Sequence, residues 1–217
     1  AVYAVQGNRN PFVDYPQLAH YVWGDSVNYV FHLTGDVELG TGGGYEGGDD
    51  NGDENFIFEI INGVNTLTGY IGNDTNVVLP KNYNGESYVI GSNAFYNNTS
   101  ITSVVIPNSV TSIGRSAFFK CTGLTSIEIS EGVTTIGVCA FEYCDLLTTI
   151  TVPNSVTSIG EDAFQWLGSV TTLEIPSSIK TIGIHSFYCT SVKKIIVNEG
   201  VESIRRNAFA GAKTEEI

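Results

Sequence analysis

The sequence contains no methionine, 10 lysine and arginine residues, three histidines and four cysteines. It also lacks any stretch of about 18 apolar residues, which excludes a membrane-spanning helix. No basic segment followed by an apolar segment stands at the N-terminus, so no signal peptide is visible. Because the chain begins at Ala1 without a methionine, we interpret it as a processed piece or a cut-out of a longer protein.

The shortage of basic residues limits the partners of the chain. Asp and Glu together number 23, which gives a formal net charge of −13. Such a surface repels phosphate groups, so nucleic acid and anionic membranes are not expected as partners, whereas cations and basic protein patches are favoured. Charged residues make up 15% and hydrophobic residues 42% of the chain, which predicts a packed core.

The chain also lacks the residue patterns of a catalytic centre. The four cysteines are too few for a disulfide-stapled scaffold. We find no triad, phosphate loop or zinc-ligand spacing, and His20, His32 and His185 are scattered. The sequence therefore predicts no catalytic residue, no metal site and no cofactor, and this chain is not expected to be an enzyme.

The part of the chain from residue 24 to residue 55 is interpreted as an acidic, glycine-rich linker. It includes Gly42-Gly43-Gly44, and no Lys or Arg lies between Asn10 and Pro80. Such a composition buries little and is typical of a flexible segment. The carboxylates of residues 49–54 would suit Ca²⁺, but their spacing does not match an EF-hand, so the linker interpretation is preferred.

Residues 90–209 contain an internal repeat. The pattern Ile-Gly-x-x-Ala-Phe begins at Ile90 and recurs at a spacing of 23 residues four times and then 22, with two looser copies at the end. Ser186 replaces Ala in the fifth copy and Arg205 replaces Gly in the sixth. Periods of this length are the signature of solenoids, in which each unit is too small to bury its own apolar face.

The apolar positions inside each unit repeat as well. Segments such as Ser126-Ile127-Glu128-Ile129 alternate, which is typical of half-buried strands, and Ala-Phe is expected to lie in a tight turn or short 3₁₀ stretch. The predicted fold is thus a mainly β leucine-rich-repeat solenoid of about six 22–23-residue repeats. Stacking in register would align one phenylalanine from each repeat in a buried column: Phe95, Phe118, Phe141, Phe164, Phe187 and Phe209.

The repeat unit resembles the BspA-like leucine-rich repeat. The unit reads Leu-x-x-Ile-x-Ile-Pro-x-x-Val-x-x-Ile-Gly-x-x-Ala-Phe-x-x-Cys, and residues 106–110 and 152–156 match it closely. The resemblance covers residues 56–217, with residues 56–89 as an N-terminal cap and first partial repeat; residues 56–70 are expected to form a β segment. It implies an extracellular or bacterial cell-surface location and a role in adhesion and protein binding.

Residues 1–23 contain a second, shorter resemblance. Residues 5–16, which read VQGNRNPFVDYP, resemble the C-terminal tail of the endonuclease I family of secreted, metal-dependent nucleases. No residue of this chain corresponds to that family's catalytic histidine or metal ligands. The resemblance implies that a nuclease precedes the repeats in the parent protein.

Two further columns of residues follow from the repeat register. Cys121 and Cys144 take the position of Asn98 and Leu167, which predicts buried thiols, with a disulfide between them as the alternative. Cys139 is expected to be partly exposed, and Cys189 lies beside the one-residue deletion. Pairs of Ser and Thr along both strand segments are interpreted as solvent-facing structural positions, with a sugar- or protein-binding array as the alternative.

An additional aromatic residue follows Ala-Phe in most repeats. These side chains either pack sideways over the phenylalanine column or line an exposed ridge that binds a partner. They are the candidate partner-binding residues: Tyr96, Phe119, Tyr143, Trp166 and Tyr188.

Three functions are consistent with these features. The leading hypothesis is a non-catalytic surface or secreted recognition module whose ligand is a protein or a glycan. The alternatives are the targeting region of a larger exported nuclease and a structural spacer.

Overall fold

The computed structural model describes residues 53–212, which form stacked coils of about 23 residues. A 3₁₀ turn at Asp53–Asn55 precedes the first strand. Each coil contributes two short strand segments and one turn segment. The strands in the described part are β1 Phe56–Ile61, β2 Val64–Tyr70, β3 Asn76–Val78, β4 Tyr88–Ile90, β5 Ser103–Ile106, β6 Val110–Ile113, β7 Ser126–Ile129, β8 Thr135–Ile136, β9 Thr149–Ile150, β10 Ser158–Ile159, β11 Thr172–Ile175, β12 Thr181–Ile182, β13 Lys194–Val197 and β14 Ser203–Ile204.

Neighbouring coils pair in parallel, with one repeat length between partners. The strand order is β3-β5-β7-β9 in one sheet and β1-β2-β4-β6-β8-β10 in the other, followed by the pairs β11-β13 and β12-β14. Ile127 pairs with Ile150 at a separation of 23 residues. Thr181 pairs with Ser203 at a separation of 22. The predicted mainly β solenoid and its register are confirmed.

An antiparallel hairpin begins the stack. Strands β1 and β2 are joined by Asn62 and Gly63, whose φ angles of 52° and 80° are those of a type I′ turn. Tyr70 at the end of β2 stacks on Phe95 with ring centroids 5.7 Å apart. The hairpin therefore places one more aromatic ring at the N-terminal end of the phenylalanine column.

The core is the predicted column of phenylalanines. Successive rings are stacked with centroids 4.9–5.6 Å apart, and the five from Phe95 to Phe187 are buried. Phe209 continues the column at 5.5 Å and is partly buried. Since every ring faces another ring, the column is continuous across the coils.

The turn segment consists of three overlapping i→i+3 turns. In the second coil, the amides of Ala117, Phe119 and Cys121 donate to carbonyls three residues earlier in their own coil. The amides of Ser116 and Lys120, like that of Phe118, donate to the following coil. Because bonds within and between coils alternate, each amide of this segment has a partner.

The glycine of each Ile-Gly pair lies against backbone of the preceding coil. A Cβ atom added to Gly114 or Gly137 would lie 2.7 Å from the preceding glycine's carbonyl carbon. At Gly183 the nearest atom is 3.3 Å away, so the packing is looser towards the C-terminal end. This looser packing is consistent with Arg205 at the glycine position of the next coil.

The threonine and serine ladders bind one coil to the next. Thr125 and Thr148 donate side-chain hydrogen bonds of 2.9 Å to the threonine carbonyl one repeat earlier. Thr134 and Thr157 do the same on the other side of the coil. Since these four hydroxyls are used within the fold, the structural interpretation is favoured for the first residue of each Ser/Thr pair.

Cys121 and Cys144 are buried, free thiols, as the register predicted, and the disulfide alternative is wrong. Each thiol lies 3.1–3.2 Å from a phenylalanine carbonyl of the preceding coil. Burial raises the pKa of Cys121 to about 12 and that of Cys144 well above its usual value. Both side chains therefore act as small apolar groups in the core. Cys139 is partly exposed, as expected.

Candidate partner-binding ridge

The five candidate aromatic residues occupy two positions of the turn segment. Tyr96, Phe119 and Tyr188 directly follow the core phenylalanine, at what we name the first ridge position. Tyr143 and Trp166 stand one residue later, at the second ridge position. We call the five residues together the aromatic ridge. Sequence reasoning grouped them by proximity to Ala-Phe and missed this one-residue offset.

The second ridge position has left-handed backbone conformation in every described coil. Tyr143 and Trp166 have φ angles of 61° and 58°. Asn97, Lys120, Cys189 and Gly211 have the same positive φ in the other coils. Bulky side chains rarely adopt this conformation, for which Asn and Gly are best suited. An aromatic ring at this position therefore has a conformational cost that the turn itself does not require.

The ring orientations follow from the two positions. Rings at the same position in neighbouring coils stack: Tyr96 on Phe119 at 5.1 Å, and Tyr143 on Trp166 at 6.1 Å. Rings at different positions meet edge to face, with interplanar angles of 86° for Phe119–Tyr143 and 81° for Trp166–Tyr188. The ridge is thus one continuous line of ring contacts across five coils.

Solvent reaches the ridge along its whole length. Tyr96 is 51% exposed and Trp166 is 41% exposed, and the other three rings are half-buried. The rings therefore pack against each other and also remain accessible, which combines features of both sequence-based interpretations. Leu146, which is 52% exposed, adds an apolar side chain three residues after Tyr143.

The middle of the ridge has charges of both signs, with Glu142 and Asp162 on one side of the balance and Lys120 and Arg115 on the other. The ammonium of Lys120 lies over the rings of Phe119 and Tyr143, at 5.4 and 5.7 Å from their centroids. Glu142 stands at the first ridge position and is buried. Burial raises the pKa of this carboxyl and the charge of Asp162 raises it further, whereas the Cys139 thiol and Lys120 lower it.

Replacing Glu142 with glutamine is expected to stabilise the fold at pH 7 by up to about 1 kcal/mol. The pKa of Glu142 is raised in the folded state. The folded wild type therefore binds the proton more tightly than the unfolded chain, and its stability increases as the pH falls through the raised pKa. Glutamine stays neutral throughout, so the advantage of the variant shrinks on acidification.

Urea unfolding of both proteins at pH 7 and at pH 4 measures this difference. Glu128→Gln, at an exposed carboxylate of β7, is the matched control for the loss of one negative charge and should leave the free energy of unfolding at pH 7 nearly unchanged. A variant that is less stable than the wild type at pH 7 would contradict the expectation.

Other titratable groups lie on the same turn face. His185 is 3.5 Å from Asp162 and 3.2 Å from Asn207. Cys139 has a pKa raised to about 12, first by burial and then by its hydrogen bond to Glu142. A thiol with this pKa is a poor nucleophile at neutral pH. Within residues 53–212, no three His, Cys, Asp or Glu side chains form a group that could hold a metal ion.

Some sequence-based predictions concern residues outside the described part. They are the stretch similar to the endonuclease I tail in residues 1–23, most of the linker in residues 24–55, and residues 49–52 of the calcium interpretation of residues 49–54. His20 and His32 lie outside it as well. The nuclease hypothesis therefore stays a prediction.

A family model for the BspA type leucine rich repeat region matches residues 88–215 in six copies. The chain belongs to the BspA-type leucine-rich repeat family. In this BspA-type protein, the match begins at β4 and includes all five residues of the aromatic ridge. No curated protein matches the chain.

Several solved structures are similar to this BspA-type protein. A leucine-rich cell surface protein from Faecalibacterium prausnitzii A2-165 matches with a TM-score of 0.66 and 30% sequence identity. The match covers 76% of this chain and 47% of that protein. The leucine-rich repeat protein of T. pallidum has a TM-score of 0.55 and 25% identity, covering 70% of this chain and 83% of its own. The pneumococcal vaccine antigen PcpA, at 20% identity, a TM-score of 0.51 and coverage of 72% of this chain and 42% of its own, shares the fold.

The matching family and the F. prausnitzii and T. pallidum proteins consist of leucine-rich repeats, and these matches point to no enzyme family. In residues 53–212, no helix is long and apolar enough to cross a membrane.

Proposed function

We propose that this chain is a non-catalytic recognition module of an exported or cell-surface protein, and that it binds a protein partner through the aromatic ridge. The observation that supports this proposal most is Trp166. Its ring is 41% exposed, at a backbone position where asparagine or glycine would cost less. Exposed tryptophan and tyrosine are the residue types that contribute most to binding energy at protein interfaces.

The ring geometry favours a protein over a glycan. A sugar that stacks on an aromatic residue needs a free ring face. In the pairs Tyr96–Phe119 and Tyr143–Trp166, the facing sides of the rings are stacked on each other. Each of these four rings therefore has one covered face, so the ridge offers no row of adjacent free faces to a sugar, and its ring edges suit the apolar and polar side chains of a protein surface.

The proposed location at a cell surface is supported by the F. prausnitzii relative, which is a leucine-rich cell surface protein. This chain spans about half of that relative, so the activity of a whole parent protein is a separate question.

Replacing Trp166 with alanine is expected to weaken partner binding by about 30-fold or more, the loss typical of a central aromatic contact. A phage-displayed peptide library selected on the wild-type chain supplies the ligand, and a glycan array tested in parallel measures the competing function. Val78→Ala is the matched control, because Val78 is 65% exposed and lies outside the ridge. Unchanged affinity in Trp166→Ala, or binding to the glycan array alone, would overturn the proposal.

A further inference from the structure

The aromatic ridge contains two corners where rings meet edge to face, with the two ridge positions in opposite order along the stack. Each corner joins a first-position ring of one coil to a second-position ring of the adjacent coil. Phe119 and Tyr143 form one corner, with centroids 5.6 Å apart. Trp166 and Tyr188 form the other, with centroids 6.4 Å apart, and we call it the Trp166 notch.

The first corner already holds a cation. Lys120 follows Phe119 directly, and its ammonium lies 5.4 and 5.7 Å from the two ring centroids. These distances are within the range of a cation–π interaction. The protein itself therefore shows what kind of group fits a corner of this shape.

In the Trp166 notch, the residue equivalent to Lys120 is Cys189, which directly follows Tyr188. Both residues have left-handed backbone, with φ of 57° and 51°. The Cys189 side chain contacts Tyr188 through a hydrogen bond, but it places no ammonium or guanidinium over the two rings. The next coil has Ala210 and Gly211 at its ridge positions, so neither of these side chains supplies a ring or a cation here.

One acidic side chain lies beside the notch. Asp162 is 3.5 Å from His185, whose ring is 5.2 Å from that of Tyr188. Charges of both signs flank the notch along the chain: residues 121–179 contain acidic residues and no lysine or arginine, whereas Lys180, Lys193, Lys194, Arg205 and Arg206 follow. The attraction of the notch for a cation therefore rests on its two rings, with the Asp162 carboxylate close by.

We propose that the Trp166 notch binds an arginine or lysine side chain of the partner, in the place that Lys120 takes in the first corner. This inference rests on the proposed function, since it names the partner chemistry of the same ridge. Arginine suits the site best, because its flat guanidinium stacks on aromatic faces. The partner would thus present an exposed arginine or lysine side chain.

The test uses an eight-residue Arg-Gly repeat peptide, with its citrulline counterpart as the uncharged control. Binding is followed by Trp166 fluorescence in a Trp23→Phe background, where Trp166 is the remaining tryptophan. We expect saturable binding of the arginine peptide and at least tenfold weaker binding of the citrulline peptide.

Two substitutions test whether the arginine peptide binds at the notch or is attracted only by the overall negative charge of the protein. Cys189→Lys supplies a cation of the chain's own and is expected to reduce affinity by about tenfold, as for the loss of one desolvated cation–π contact. Thr99→Lys adds the same charge at an exposed turn residue outside the notch, and should leave the affinity nearly unchanged. Equal losses in both variants would overturn the inference.

Removing Lys120 from the first corner is expected to create a second binding site for the arginine peptide. Lys120→Gly removes the lysine over Phe119 and Tyr143, and glycine already stands at this position in the last described coil as Gly211. Isothermal titration should then give two peptides bound per chain instead of one. If the arginine peptide fails to bind while Trp166→Ala still abolishes binding of the selected ligand, the cation inference is wrong and the ridge function stands.

Discussion

Replacing Phe141 with alanine is expected to lower the free energy of unfolding by about 3–5 kcal/mol, the usual range for emptying a buried phenylalanine site. The ring of Phe141 is fully buried and stacks on Phe118 at 5.3 Å and on Phe164 at 5.6 Å. Its removal leaves a cavity in the centre of the column. The neighbouring rings cannot close this cavity, because the hydrogen bonds between coils fix their spacing.

Chemical denaturation followed by circular dichroism measures this loss. Phe119→Ala is the matched control, since Phe119 is the next residue along the turn from Phe118 and is only half-buried. Its removal should cost clearly less. A loss well below 1 kcal/mol for Phe141→Ala would mean that the register of the stack is wrong.

Gly132→Ala is expected to destabilise the fold by about 3 kcal/mol, the upper part of the range for overpacking a close contact. An added Cβ atom would overlap the carbonyl oxygen of Asn108 in the preceding coil. It would also lie 2.9 Å from the carbonyl oxygen of Val110. Both contacts are with backbone, so the two coils must move apart to admit the methyl group.

Gly69→Ala is the matched control for this substitution. Its added Cβ atom would lie 3.4 Å from a side-chain carbon of Ile57, an ordinary contact, and its backbone is compatible with alanine. Thermal unfolding of the two variants should therefore differ by several degrees. Equal melting temperatures would show that the coils can separate at Gly132 without cost.

The sequence predicted the repeated parts of the structure well. The 23-residue spacing of Ile-Gly-x-x-Ala-Phe set the register, and the stacked rings of Phe95 to Phe209 follow from it. The buried positions of Cys121 and Cys144 could be predicted because Leu167 occupies the same place in the next repeat. In each case, a position that recurs in every unit has the same neighbours in every unit.

The candidate site was harder to predict because it depends on differences between repeats. Whether an aromatic residue stands one or two residues after the core phenylalanine decides which rings stack and which form a corner. The offset of Tyr143 from Phe119 is visible in the sequence, but its effect on ring orientation requires the conformation of the turn. The position of Lys120 over two rings depends on that geometry too.

The turn that carries the ridge also bears on how such a surface can diversify. At the second ridge position, six coils carry Asn97, Lys120, Tyr143, Trp166, Cys189 and Gly211, all with the same backbone conformation. The fold thus accepts an amide, a cationic, an aromatic or a thiol side chain, or a glycine, at the second ridge position. Because each coil contacts mainly its neighbours, an exchange there has local effects. Single substitutions at this position therefore change the chemistry of the ridge one coil at a time while the phenylalanine column stays the same, and under the proposed function each such change would alter the partner.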